Sequence, residues 1–213
     1  MRPWRPSVSY NRKCAKKANL AGRERSVADQ TGDQSEERAI GTRQQYHIST
    51  RQRGDTTNDE LEEMASVPSI SAKGQLLTEM AETVAAKLRA AGLQTSLLAN
   101  DPGPPVVWAE GGPERAPTLL FYNHYDVQPA EPLDKWESPP FVPTLRGDRL
   151  FGRGVNDNKG SLAGRICALR AWSEVAGELP CRVRFLIEGE EEVGSPHLEA
   201  LLDRCADRFR ADA

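Results

Sequence analysis

Two short apolar runs bracket a helix-length amphipathic segment, and this order constrains the fold more than any other feature of the chain. Leu119-Leu120-Phe121-Tyr122 reads as a buried strand, and in Cys181–Ile187 the apolar Val183, Phe185 and Ile187 alternate with Arg182, Arg184 and Leu186. Between them, Ser161–Ala176 carries Leu162, Ile166, Leu169, Ala171 and Trp172 at positions that suit a helix. Upstream, Asn58-Asp59-Glu60 reads as a helix start with Leu61, Met64 and Ala65 on one face, ended by Pro68. Gly74–Ala91 reads as a second helix with Leu76, Leu77, Met80, Val84, Ala85 and Leu88 on its apolar side and Gly92 at its C-cap. Strands are expected at Gln94–Leu98, Val106–Glu110 and Thr118–Asn123, separated by Pro/Gly turns. Residues 125–150 read as a long Pro-rich loop, and Ser195 as the cap of a final helix through Leu202. Helices between strands predict an α/β domain: a mixed, largely parallel sheet flanked by helices. No internal repeat is present.

The N-terminus breaks this pattern. Its first 25 residues hold Arg2, Arg5, Arg12, Lys13, Lys16, Lys17, Arg23 and Arg25 against the single acid Glu24, with few apolar residues and no period. Hydrophobic residues make up 38% of the chain and mean hydropathy is -0.60, low values for a chain packed throughout. Residues 1–55 are therefore expected to be a disordered basic extension and 56–213 the folded part. Such an arm is compatible with an organellar targeting peptide, an anion-binding arm, or a dispensable extension upstream of the true start. The net charge of -3 gives no overall basic field, which excludes a typical nucleic-acid binder. Cys14, Cys167, Cys181 and Cys205 form no CxxC pair, which argues against a thiolate zinc site and against a small disulfide framework. Without a secretory h-region, and without an apolar run near the roughly 20 residues of a membrane span, the chain is expected to be cytoplasmic with no membrane partner.

Three polar clusters follow predicted strands, where open α/β sheets place their sites. The first is Asn123-His124-Tyr125-Asp126. A neutral imidazole binds a borderline metal such as Zn²⁺, and a carboxylate two residues on can fix its tautomer. Alone, such a histidine is more often a structural hydrogen-bonding residue than a ligand. The second runs from Gly152 to Gly160 through Asp157, Asn158 and Lys159. A dinucleotide loop fails because position 157 is Asp where Gly is required, and Lys159-Gly160-Ser161 is not a phosphate-binding loop. What remains is Asp157 on a glycine-flanked turn, which suits either a carboxylate bridging two cations or a helix cap. The third, Glu188-Gly189-Glu190-Glu191-Glu192-Val193-Gly194-Ser195, packs acids at a strand end, where they repel unless cations neutralise them. Adjacent glutamates can divide labour there, one binding metal and the other taking a proton from the attacking water.

In order, His124-Tyr125-Asp126-Val127-Gln128-Pro129, then Trp136, Ser138-Pro139-Pro140-Phe141, Gly152-Arg153-Gly154 with Asp157-Asn158-Lys159-Gly160, and Glu188-Gly189 with Glu191-Glu192 and Gly194-Ser195 closely resemble the M20 metallopeptidases. The resemblance is strongest to their dipeptidase branch and covers roughly residues 58–205. It implies a zinc-exopeptidase α/β domain interrupted by a lid or dimerisation domain. It implies His124 as ligand to one metal, Asp157 as the bridging carboxylate, Glu192 as ligand to the other metal, Glu191 as general base and Asp126 as the partner that orients His124. It also implies two divalent ions, Zn²⁺ with Mn²⁺ as the alternative, and hydrolysis of a dipeptide or short peptide, with N-acyl-amino-acid deacylation as the runner-up. The family uses two further ligands, a later acid and a late histidine. Asp203, Asp207 and Asp212 do not follow a strand, His47 falls in the basic arm, and His197 reads as a surface residue. The chain is accordingly expected to be the N-terminal part of such a catalytic domain, without the lid through which a homodimer would form. The rival expectation is an inactive chain that holds one metal weakly.

Overall fold

The computed structural model describes residues 10–11, 59–147 and 149–213. Apart from Tyr10–Asn11, the arm expected to be disordered lies outside the described residues. Four helices are present among them: α1 (residues 59–65), α2 (Leu77–Ala90), α3 (Lys159–Ala176) and α4 (Leu198–Arg204). The strands are β1 (Tyr10–Asn11), β2 (Gln94–Leu98), β3 (Val106–Gly111), β4 (Thr118–His124), β5 (Thr144–Arg146), β6 (Arg149–Phe151) and β7 (Arg182–Glu188).

The main sheet has the order β2-β3-β7-β4. β4 and β7 are parallel, in register from Thr118↔Arg182 to His124↔Glu188, because the intervening chain crosses back through α3. β2–β3 and β3–β7 are antiparallel. The sheet is thus mixed, as expected, but one of its three described pairings is parallel, so the expectation of a largely parallel sheet is corrected. The turn between β2 and β3 is too short for a crossover and makes a hairpin instead. Residues 125–150 also hold more than a loop: β5 pairs with β6, and β6 with β1, in a small antiparallel sheet.

Apolar residues on both faces of β3 and β7 dictate two layers of helix. Val107, Ala109, Val183, Phe185 and Ile187 pack with Leu61 and Met64 of α1, Met80, Val84 and Leu88 of α2, and Leu162 and Ile166 of α3. On the other face Val106, Trp108 and Leu186 meet Leu201 of α4, and Phe209 sets its ring edge-on to Trp108 at 5.2 Å. α2 starts at Leu77, later than Gly74, because Ser71–Lys73 forms a 3₁₀ turn closed by Gly74, and Leu76 has a left-handed backbone (φ 50°) that no α-helix continues. Ser195 does not cap α4: the cap position is His197 and makes no side-chain cap bond.

Two ties bring α1 and its following loop beneath the end of β4. Val127 N–H donates to the Ser69 carbonyl at 2.9 Å, and Ser69 Oγ to the Tyr125 carbonyl at 2.7 Å. The ammonium of Lys159, fully buried, donates to the carbonyls of Met64 and Val67 at 3.0 and 2.7 Å. Burial lowers its pKa to about 7. No described helix is long and apolar enough to cross a membrane.

Candidate metal centre

His124 ends β4 and is 3% exposed, with Glu188 opposite it at the end of β7. Its two ring nitrogens face different groups. Nδ1 lies 3.2 Å from the Asp126 carbonyl and 3.3 Å from its carboxylate. Nε2 lies 3.0 Å from Asp157 Oδ1 and 3.7 Å from Glu191 Oε2. A proton on Nδ1 donated to Asp126 leaves the Nε2 lone pair turned toward the acids, the tautomer a metal ligand requires. Burial works to lower the His124 pKa, yet the Asp126 hydrogen bond and charge, with Glu191 and Asp157, push it up to about 9.

Asp126 has no exposed surface. Beyond facing His124, it accepts the backbone N–H of Glu191 at 3.3 Å and of Glu192 at 3.1 Å. Burial pushes its pKa up, but the His124 contact and the Glu192 N–H outweigh this and hold it below the usual aspartate value. One buried carboxylate therefore fixes both the histidine and the acid-bearing turn.

That turn is the 3₁₀ segment Glu191–Val193, reached through Gly189. A Cβ on Gly189 would stand 2.3 Å from the Tyr125 hydroxyl, so only glycine lets β7 turn there against the buried Tyr125 ring. Glu192 is held by Gln128, whose Nε2 donates to its carbonyl at 2.8 Å and its carboxylate at 2.9 Å. Burial and the charges of Asp157 and Glu191 raise the Glu192 pKa. Asp157 sits on the turn before α3, made possible by Gly154 (φ 78°), where a Cβ would meet Val127 at 2.7 Å. The cap alternative for Asp157 is not realised: Asn158 holds the N-cap position, and no side chain bonds the helix end.

The expected trio was His124, Asp157 and Glu192. Ligand atoms of His124, Glu191 and Glu192 all lie within 4.8 Å of one another, while Asp157 lies against the same Nε2 that faces Glu191. Four acids thus surround one imidazole with opposing tendencies, carboxylates crowded together and a histidine forced toward protonation. This is the donor set of a hard or borderline divalent cation, which would relieve both. His197 is half-buried rather than a plain surface residue, because its Nδ1 lies 2.9 Å from Glu190.

Sequence reasoning assigned no role to Gln128, Arg153 or Glu188. Arg153 stacks over Trp136 at 5.3 Å and donates to the Pro129 carbonyl at 3.0 Å. The charges of Glu192 and Asp157 offset part of what burial costs its guanidinium. Glu188 is 2% exposed and accepts hydroxyls from Tyr122 and Ser195. Its place as the first acid after the apolar Val183–Ile187 strand was the sequence signal for it.

Residues 120–213 match the model of peptidase family M20/M25/M40. Human Beta-Ala-His dipeptidase is 44% identical over 109 residues, 51% of this chain and 22% of that protein. The Cys-Gly metallodipeptidase dug1 of Schizosaccharomyces pombe is 36% identical over 167 residues, 72% of this chain and 35% of that protein. Succinyl-diaminopimelate desuccinylase of Aromatoleum aromaticum is 41% identical over 103 residues, 46% of this chain and 27% of that protein. Among solved structures, human carnosine dipeptidase 1 superposes with a TM-score of 0.72 at 32% identity, covering 79% of this chain and 38% of that one. The chain spans 22% to 35% of the length of these curated relatives.

Proposed function

Because the chain belongs to the M20 peptidase family, a family of metal-dependent hydrolases, we propose that its site cleaves the amide of a dipeptide or short peptide. One observation carries this reading: His124, Glu191 and Glu192 bring ligand atoms within 4.8 Å of one another, with Asp157 on the same imidazole nitrogen. In it, His124, Glu192 and Asp157 would hold two divalent ions, zinc or manganese, with Asp157 as the carboxylate they would share. When bound, the ions supply Lewis acidity that polarises the amide carbonyl and lowers the pKa of water.

The chain's own residues do the rest. Asp126 holds the His124 ring by Nδ1 and, through two backbone N–H groups, aims the glutamate turn. Gln128 holds the Glu192 carboxylate in place. Glu191 is 42% exposed at its side chain and lies 3.7 Å from the His124 ring, so it reaches both solvent and the centre. It takes the proton of the attacking water and returns it to the leaving amine, a role worth about 10²–10⁴-fold in rate. Residues 56–213 then form the N-terminal part of a catalytic domain acting in the cytoplasm, and residues 1–55 an extension to it.

A second reading has its own support. The desuccinylase relative, 41% identical over 103 residues, is named for removing an N-succinyl group, and N-deacylation needs the same centre. The dipeptidase reading stands ahead because that similarity extends over 167 residues.

The test is amine release from β-Ala-His, Cys-Gly and an N-succinyl amino acid by the chain dialysed into Zn²⁺ or Mn²⁺, before and after chelation. Dipeptide cleavage lost on chelation and regained with metal supports the reading. Cleavage of the N-succinyl compound alone moves the activity to deacylation. Metal uptake with no cleavage contradicts catalysis by this chain and leaves it a metal-binding one.

A further inference from the structure

The turn that carries Glu191 and Glu192 is closed by its own first and last residues. Glu188, where β7 ends, is 2% exposed, and a carboxylate so buried requires donors. Its Oε1 accepts the Tyr122 hydroxyl at 2.5 Å and the Ser195 hydroxyl at 2.7 Å. Tyr122 stands on β4, two residues before His124, while Ser195 closes the turn. Ser195 reaches the carboxylate from a left-handed backbone, φ 51°, which a non-glycine residue adopts at a cost. Its N–H also returns to the Glu190 carbonyl at 2.8 Å, and the Glu188 carbonyl takes the Tyr125 N–H at 2.8 Å.

Besides Gln128, which holds Glu192 itself, the turn has an anchor on each side. One is Asp126, which grips the Glu191 and Glu192 amides from the histidine side. The other is Glu188, which ties the turn's far end to β4. Asp126 and Gln128 hold the middle of the turn, at the Glu191 and Glu192 amides and at Glu192, and neither reaches its Ser195 end. The Glu188 anchor alone ties that far end back to the strand that carries His124.

We propose that Tyr122, Glu188 and Ser195 form a positioning cluster that sets how Glu191 and Glu192 face His124. Glu188 is not among the acids grouped with His124, and the three act through the turn's backbone. The consequence for metal binding rests on the metal-centre reading; the effect on the turn does not.

Two measurements on the full chain separate these. The first is amide hydrogen exchange in Ser195→Ala, Ser195→Gly and Tyr122→Phe. Loss of a hydrogen bond to a charged acceptor predicts exchange at the Glu191 and Glu192 amides about tenfold faster or more in Ser195→Ala, with β7 amides unchanged. Ser195→Gly relieves the backbone strain yet lacks the hydroxyl, so it is expected to behave like Ser195→Ala. Tyr122→Phe is expected to give a smaller increase of the same pattern. Wild-type exchange at Glu191 and Glu192 in Ser195→Ala overturns the proposal, as does an increase shared equally by β7, which marks general destabilisation. Rescue by glycine also overturns it, because strain rather than the hydroxyl would then govern the turn. The second measurement is Zn²⁺ affinity by equilibrium dialysis, expected to weaken about tenfold in Ser195→Ala because ligand groups lose their preset geometry. A looser turn with unchanged Zn²⁺ affinity overturns the link to the site. Wild-type chain that binds no Zn²⁺ overturns the metal-centre reading, and exchange alone then decides the positioning claim.

Discussion

His124 stands between two competing charges, the proton that its acidic neighbours favour and the cation that they could hold instead. Without metal, its pKa is pushed to about 9 from an ordinary value of 6.5. The sign follows from linkage. A group whose folded pKa is raised stabilises the fold fully below its unfolded pKa and loses that contribution as pH rises through the folded one. The His124 contribution should therefore fall between about pH 6.5 and pH 9, by up to about 3 kcal/mol, while buried Lys159, with its pKa lowered to about 7, works the other way and adds stability as pH rises above 7; urea denaturation of wild type and His124→Gln side by side isolates the His124 part as their difference. Metal affinity should run the opposite way, rising with pH over the same window by up to about tenfold per unit because a proton must leave Nε2 first. A His124→Gln chain should lose the His124 contribution and the pH dependence of metal affinity, and keep only the rise in stability that Lys159 gives above about pH 7. Parallel stability profiles in the wild type and His124→Gln would mean that the ring is not gripped by these acids.

The His-x-Asp pair was legible in sequence because both residues follow a recognisable strand. That Asp126 also holds the Glu191 and Glu192 amides was not legible. Those contacts join residues 65 and 66 positions apart, and hydrophobic periodicity carries no information about them.

At the scale of elements, the turns decide the site more than the strands do. Gly189 allows β7 to turn against the fully buried Tyr125, whose hydroxyl a Cβ would approach to 2.3 Å. Gly189→Ala should cost about 1–3 kcal/mol of stability, read by thermal or urea unfolding, and should weaken metal binding as the glutamate turn shifts. An unchanged midpoint would show that the Tyr125 ring yields freely. Strands β3, β4 and β7 were read almost to the residue because each holds a short apolar run, and the half-polar β2 because turn formers bound it on both sides. The start of α2 was misplaced because Leu76, apolar and correctly spaced, adopts a left-handed backbone that its type does not announce. Ser195 was misread as a helix cap for a similar reason. Its residue type suits capping, but its hydroxyl bonds the distant Glu188.

For the molecule as a whole, the central strands β3 and β7 carry the two-sided core. Phe185, with no exposed surface and its ring 4.9 Å from Phe121, should cost about 3–5 kcal/mol when cut to alanine. By contrast, deleting residues 1–55 removes, among the described residues, only the two-residue β1 at the edge of the small sheet, and should change stability by no more than about 1 kcal/mol. A larger loss on urea unfolding would mean that the arm packs on the domain. The α/β class was legible from the alternation of helix and strand. The balance of parallel and antiparallel pairing was not, because strand order depends on which edges meet in space.

The central claim is that two adjacent glutamates do different jobs at a metal centre, and metal content together with turnover in paired substitutions tests it most directly. Glu191→Gln keeps size but removes the base; Glu192→Gln replaces an anionic ligand with a neutral amide, a poorer donor to a dication. After dialysis against Zn²⁺, the Glu191→Gln chain should retain the wild-type metal content and lose about 10²-fold or more in amine release. Glu192→Gln should lose metal first and activity with it. Metal lost in the first variant and kept in the second would mean that the roles are reversed, and wild-type metal content and turnover in both would remove the glutamate turn from the active site.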